Sequence, residues 1–203
     1  MTNANLVRVL ERSKAEGFLG PGPLDSHIDH GRALAAIISE YPGRFCDLGS
    51  GGGIPGLILL DSWPTSSAVL LDGAQRRCAF LEWAVEELAW TDRATVVSQR
   101  AEEAGHSELR NSFDLVVARS FAGPAVTSEC AAPLLTLGGR LVVSEPPEWD
   151  PQRWPEAGLA GLGLVPEGRH RAGSTSAVVI RKDSVTDVRY PRRVGIPEKR
   201  PLW

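Results

Sequence analysis

Residues 45–56, FCDLGSGGGIPG, place an acid and a run of glycines at a spacing that suits ligand chemistry. Asp47 ends an apolar stretch, and Gly49, Gly51, Gly52, Gly53 and Gly56 follow. Glycine tolerates φ > 0 and lets a ligand come close to the backbone. Between a strand and a helix, such a turn is built to hold something polar or charged. Gly51, Gly53 and Gly56 fit the G-x-G-x-x-G dinucleotide spacing, in which a diphosphate rests on the helix N-terminus. Asp47 opposes that reading, because a carboxylate aimed into the site repels a diphosphate and suits a cationic amino group. Asp72 ends the next apolar run, where adenosine sites of this architecture hold ribose hydroxyls. Arg119 ends a later run, FDLVVA, and is expected to project into the same cleft. His27 and His30, at i, i+3, read as a polar helix start lining or capping a cleft rather than as a metal pair.

These side chains need elements to carry them. Leu6, Val9 and Leu10 mark an amphipathic helix over residues 4–17, closed by a Gly-Pro linker. A second helix is expected over 25–41, with Pro42-Gly43 after it. Beyond the glycine turn come a short apolar helix from Leu57, a strand over 68–72 and a helix over 74–88. Strands follow at 94–98, 113–118 and 140–144, with a helix at 127–135 and a turn at Gly138-Gly139. Two last strands, 162–165 and 175–181, read as an antiparallel pair. Alternating β and α segments with a final hairpin predict an α/β, doubly wound, mostly parallel sheet. The expected layout is one domain over 1–203. It comprises a helical N-terminal extension (1–41), a Rossmann-like core (42–183) and a basic tail (184–203).

Composition narrows the class. The 203 residues carry a formal charge of −3, so no global basic field marks the chain as a nucleic-acid binder. Cys46, Cys78 and Cys130 lack Cys-x-x-Cys spacing and read as buried thiols in a reducing compartment, without zinc or disulfides. No apolar run reaches the ~20 residues that span a bilayer, and no signal peptide is visible, so a cytoplasmic protein is expected. The tail gathers Arg189, Arg192, Arg193, Lys199 and Arg200 beside Tyr190 and Trp203. Such a stretch either tracks phosphates and stacks on bases or packs on its own acidic domain.

Taken together, these segments resemble known proteins. Asp47-x-Gly49-x-Gly51-x-Gly53 is similar to the first motif of Rossmann-like, class I methyltransferases, whose ligand is S-adenosylmethionine. DLGSGGGIPG, LLDGAQRRCAFL, QRAEE, FDLVVARSFA and the tail YPRRVGIPEKRPLW occur in register and look like the glucose-inhibited division protein B family. That resemblance implies methylation of guanine N7 in small-subunit ribosomal RNA, on RNA or the 30S particle, by a monomer without metal. It implies that Gly49 and Ile54 line the methionine side of the cofactor, that Ala101 and Glu102 sit by the adenine, and that Arg119 lines the cleft as a positioning group. Arg192, Arg193, Lys199 and Arg200 are the expected RNA contacts. A small-molecule methyltransferase and a non-catalytic, cofactor-binding ribosome-associated protein are the alternatives. The chain departs from the family in lacking its usual N-terminal signature. It also carries Ser144-Glu145-Pro146 where many members have lysine-glycine, which exchanges a cation for an acid beside the cleft.

Overall fold

A computed structural model describes residues 3–38, 41–148 and 150–203. The chain opens with α1 (Ala4–Ala15), whose first turn is capped by the Asn3 side chain accepting from the Asn5 N–H at 3.0 Å. Helix α2 (Leu24–Ile37) follows, then β1 (Arg44–Leu48), α3 (Gly56–Ser62), β2 (Ser67–Asp72), α4 (Gln75–Glu87) and β3 (Ala94–Ser98). Next come α5 (Ala101–Ala104), β4 (Phe113–Ala118), α6 (Pro124–Ala131) and β5 (Leu135–Glu145). The chain ends with α7 (Glu156–Ala160), β6 (Leu164–Ala172), β7 (Thr175–Lys182) and α8 (Ile196–Lys199).

The strands form one sheet in the order β3-β2-β1-β4-β5-β7-β6. The first five are parallel, and β7 runs antiparallel between β5 and β6. The order reverses between β1 and β4, so their carboxyl ends open a crevice at the switch point. Side chains alternate between the two faces, as a pleated strand requires. Phe45, Ala68, Leu70 and Leu115 join one core with residues of α1, α2, α3 and α4. Cys46, Leu48, Val69, Leu71 and Val116 join the other with α5, α6 and α7. All three cysteines are buried and free.

Several expected boundaries move. Helix α2 ends at Ile37, and Ile38 is extended (φ −87°, ψ 93°); residues 39 and 40 of the expected helix lie outside the described residues. The helix expected over 127–135 begins at Pro124, where a proline fits the first turn, and it gives way to β5 at Leu135. Gly138-Gly139 does not precede that strand but interrupts it: Phe113 pairs with Leu135, and Leu115 pairs with Arg140. The expected strand over 162–165 is a longer one, β6, bulged between Pro166 and Gly168. Helix α7 and a single 3-10 turn at Pro151–Arg153 carry too few residues for a periodic signal.

The tail is a packed strap rather than an appendage. The Arg110 guanidinium donates to the carbonyls of Gly105, Thr186, Asp187 and Tyr190. A ring nitrogen of His106 lies 2.7 Å from the Pro191 carbonyl. Arg192 grips the fully buried Glu129 through two side-chain bonds, at 2.8 and 2.6 Å, and adds its own backbone N–H at 2.8 Å. Buried Lys182 donates to Ala132 and Thr186. Arg192 is therefore removed from the expected RNA contacts, because its charge is spent holding the strap to α6. Arg193, Lys199 and Arg200 are exposed.

Candidate active site at the carboxyl edge of the sheet

The glycine turn follows β1 and is fixed largely by its own backbone. The N–H groups of Gly49 and Ser50 donate to the Leu71 carbonyl at 2.8 and 3.0 Å, and that of Gly53 to Ser50 at 2.8 Å. Gly51 donates to the Asp72 carboxylate at 2.9 Å. Those four donors are spent inside the protein, which leaves the turn poorly equipped for a diphosphate. Gly49 has φ +74°, and a Cβ there would come within 2.6 Å of the Phe121 ring, so only glycine fits. Gly52 is crowded from the other side by Ser13, Phe18 and Leu19, and the Ser13 hydroxyl donates to its carbonyl at 2.8 Å. The N-terminal extension thus forms a wall of the site.

Asp47 does not point at a ligand as its place in the sequence predicts. Its carboxylate is buried beneath the turn, accepts the Gly56 N–H at 2.9 Å and lines none of the clefts described below. Burial raises its pKa to about 7 against the pull of the Gly56 hydrogen bond. Strand alternation sends this side chain into the core face together with Phe45, and the sequence offered no sign of which face the cleft would occupy.

Asp72 stands at the tip of β2, where the sequence placed it. Its two oxygens accept from Gly51 and from the Ala74 N–H at 2.8 Å, and Arg77 lies 3.7 Å away. A carboxylate offers about four lone-pair sites, so two remain for a diol. Asp72 lines a cleft of about 300 Å³ with Gly49, Gly73, Ala74, Arg77, Ala101, Glu102 and Phe121. Glu102 is buried; one oxygen accepts the Gly195 N–H at 2.9 Å and the other lies 3.6 Å from Arg100. The strap therefore reaches the cleft wall. A second cleft of about 220 Å³ is lined by Leu19, Gly20, Gly51, Ile54 and Arg119 and shares Gly49, Arg77 and Ser120 with the first. Gly53 stays behind this surface. Arg119 extends one nitrogen to within 2.8 Å of His27 Nδ1. Burial lowers its pKa and the nearby Asp47 raises it.

A third cleft, of about 330 Å³, lies beyond β4 and β5. Phe121, Pro124, Val143, Pro146 and Trp154 give it apolar walls, with Glu145 and Arg153 at its polar end. Glu145 accepts from Arg153 at 2.8 Å, so this acid is neutralised by a cation from another segment. Burial raises the Glu145 pKa and Arg153 opposes that shift. Trp203 Nε1–H donates to the Arg153 carbonyl at 3.1 Å and braces it. Ser144 lies 2.9 Å from His30 Nε2.

Ser120 is common to all three clefts and adopts φ +54°, which is uncommon for a residue with a side chain. That bend directs Arg119 to one side and Phe121 to the other. Sequence reasoning missed Ser120, Phe121 and Arg153. The first two follow Arg119 directly, but Arg153 comes from the 3-10 turn and had no local signal. Two connected clefts with a diol acceptor, bare glycine backbone and a guanidinium at the far end fit an elongated ligand bearing a ribose and a carboxylate. S-adenosylmethionine has those groups and no phosphate. Among the described residues, no three metal-ligating side chains converge, and no helix is long and apolar enough to cross a membrane.

Comparison with known proteins agrees with this geometry. The family model described as GidB, rRNA small subunit methyltransferase G, matches residues 24–145. Ribosomal RNA small subunit methyltransferase G of Syntrophomonas wolfei is 35% identical over 193 residues, covering 90% of this chain and 87% of that protein. Its counterpart from Carboxydothermus hydrogenoformans is 38% identical over 164 residues, covering 77% and 69%. Among solved structures, cofactor-bound Rv0187 from MTB matches with TM-score 0.63 and 18% identity over 90% of this chain and 91% of that one. The T. Thermophilus 16S rRNA methyltransferase RsmC, in complex with AdoMet and guanosine, matches with TM-score 0.53 and 21% identity over 78% and 40%. At these identities the structural matches speak to the fold.

Proposed function

The chain belongs to the GidB family, rRNA small subunit methyltransferase G, and on that premise we propose that it methylates guanine N7 in small-subunit ribosomal RNA. Its fold is the class I methyltransferase fold, and S-adenosylmethionine is its methyl donor. When bound, that cofactor supplies an electrophilic methyl group on a sulfonium. Asp72 accepts the ribose hydroxyls, Ala101 and Glu102 flank the adenine, and Arg119 forks the carboxylate through paired hydrogen bonds. The target purine enters the third cleft against Phe121, Pro146 and Trp154 and meets the methyl group at Ser120. Arg193, Lys199 and Arg200 contact RNA phosphates. The protein acts in the cytoplasm as a monomer; its buried free thiols fit a reducing compartment.

One observation carries the choice of N7. The acids and imidazoles around the Ser120 junction are already engaged. Asp72 and Glu102 hold backbone N–H groups, Glu145 holds Arg153, and His27 and His30 each have both ring nitrogens in hydrogen bonds. Among the described residues, each of these groups already has a protein partner, so none stands out as a general base. Guanine N7 carries an available lone pair and loses no proton on attack, so catalysis reduces to alignment in a shaped cleft. Labelled cofactor offered to naked ribosomal RNA, 30S particles and a metabolite pool tests this directly. The expected product is 7-methylguanosine in small-subunit RNA, with a single-turnover rate nearly flat between about pH 6.5 and 8.5. Labelling of a metabolite instead, or a rate that rises through one ionisation and flattens when one side chain is replaced, overturns the N7 reading.

A further inference from the structure

We propose that His27 is the residue that positions Arg119 over the cofactor cleft. A guanidinium has only N–H donors. The 2.8 Å contact from Arg119 Nη2 therefore requires a lone pair at His27 Nδ1. The other ring nitrogen, Nε2, lies 3.1 Å from the Gly20 carbonyl, an acceptor, so it carries the proton. The two contacts together select the neutral Nε2–H tautomer and leave the imidazole one orientation. His27 is buried, on the first turns of α2, and is held from the linker side by a residue that itself lines the second cleft. The Arg119 side chain makes its hydrogen bond to this imidazole.

The contact matters because arginine's usefulness here is its fork. A long side chain anchored only at its backbone samples many rotamers, and ordering it on ligand binding costs free energy. Fixing one nitrogen in the ligand-free protein leaves the remaining N–H groups aimed at the cleft beforehand. The N-terminal segment thereby enters the site chemically as well as sterically, through Gly20 and His27. His30, one turn on, performs a related task at the next strands, bridging Ser144 at 2.9 Å and Thr175 at 3.2 Å. Both of its ring nitrogens are taken by these hydroxyls, so the positioning role falls to His27.

The inference rests on the reading that Arg119 grips the carboxylate end of the cofactor, and it is independent of which substrate is methylated. Calorimetric titration of the full-length protein with S-adenosylmethionine tests it without any RNA. His27→Ala is expected to weaken cofactor binding roughly 10-fold or more, the size of a lost hydrogen bond to a charged group. His27→Asn, whose Oδ1 occupies the place of Nδ1, is expected to restore affinity to within about threefold of the parent, since one acceptor at that point is all the role requires. In an Arg119→Ala background, His27→Ala should have no further effect, because the two residues act as one unit. Additive losses in that cycle, or wild-type binding by a folded His27→Ala protein, overturn the proposal. If His27→Ala does not fold, the Asn variant decides: it should bind normally, and a 10-fold loss in it refutes the role. Wild-type binding by Arg119→Ala removes the premise and the proposal together. Failure to methylate ribosomal RNA with these binding results intact would refute the proposed substrate alone.

Discussion

Asp72 shows how one carboxylate serves two tasks. It closes the glycine turn through Gly51 and caps the start of α4 through Ala74 while facing the first cleft. Asp72→Ala should weaken S-adenosylmethionine binding by about 10- to 150-fold, the equivalent of ~1.5–3 kcal/mol. Calorimetry that gives an unchanged dissociation constant for the folded variant would remove Asp72 from the site. Glu129 and Arg192 illustrate the opposite case, a pair with no ligand to serve. Glu129 is wholly buried, so Arg192→Ala would strand an uncompensated charge and should destabilise the fold by about 3–5 kcal/mol. Replacing both partners with apolar residues should recover part of that loss. Urea unfolding of the single and double variants checks both statements. Arg192 looked like its exposed neighbours Arg193 and Arg200 in the sequence, since nothing local distinguishes an arginine that meets a buried glutamate from one that meets water.

The strap is the element whose role the sequence left open between RNA contact and packing on its own domain. It meets the body at widely separated points: Arg110 and His106, Glu129 on α6, Glu102 in the cleft wall and Arg153 at the third cleft. Deleting residues 189–203 should therefore abolish cooperative thermal unfolding rather than merely weaken RNA binding. A triple substitution of Arg193, Lys199 and Arg200 by alanine tests the surface separately. It should leave melting and cofactor affinity unchanged while weakening RNA binding. The salt dependence should flatten by about 0.7 log units per lost phosphate contact for single strands. A truncated protein that melts as the parent does would contradict the strap, and an unchanged salt slope in the triple variant would remove these cations from the RNA surface. Helix α2 is the other element with more reach than its sequence suggested. Its histidines look like a polar helix start, and only the assembly of the sheet brings Arg119, Ser144 and Thr175 against them.

At the scale of the whole molecule, the buried titratable groups give the protein a pH-dependent stability. Burial, with the charge of Arg119 and the neighbouring His27, lowers His30 from 6.5 to about 4. The unfolded chain therefore takes up the proton first, and stability from this group falls as pH drops from about 6.5 to about 4, with no further loss below. Asp47, raised from 3.8 to about 7, works in the other direction, its contribution being present below 3.8 and lost as pH rises through 7. Denaturant unfolding of the parent and His30→Gln between pH 4 and 7.5 separates the two, because Asp47 is common to both. The variant should gain on the parent as pH falls from about 6.5 to about 4, and parallel curves there would refute the assignment to His30. The sequence by itself determined the order of the strands and longer helices, the glycine turn and the acid at the tip of β2. These follow from local rules: hydrophobic period, turn chemistry and the short span from one strand to the next. It could not show that Asp47 turns under the loop, that Ser120 is where three clefts meet, or that Glu145 is answered by Arg153. Only the tertiary structure decided that His27 holds Arg119, that Glu102 receives Gly195 and that Glu129 receives Arg192, contacts between residues 92, 93 and 63 positions apart. Such pairs have no periodicity to read, because their partners are set by the assembled sheet and the path of the strap across it.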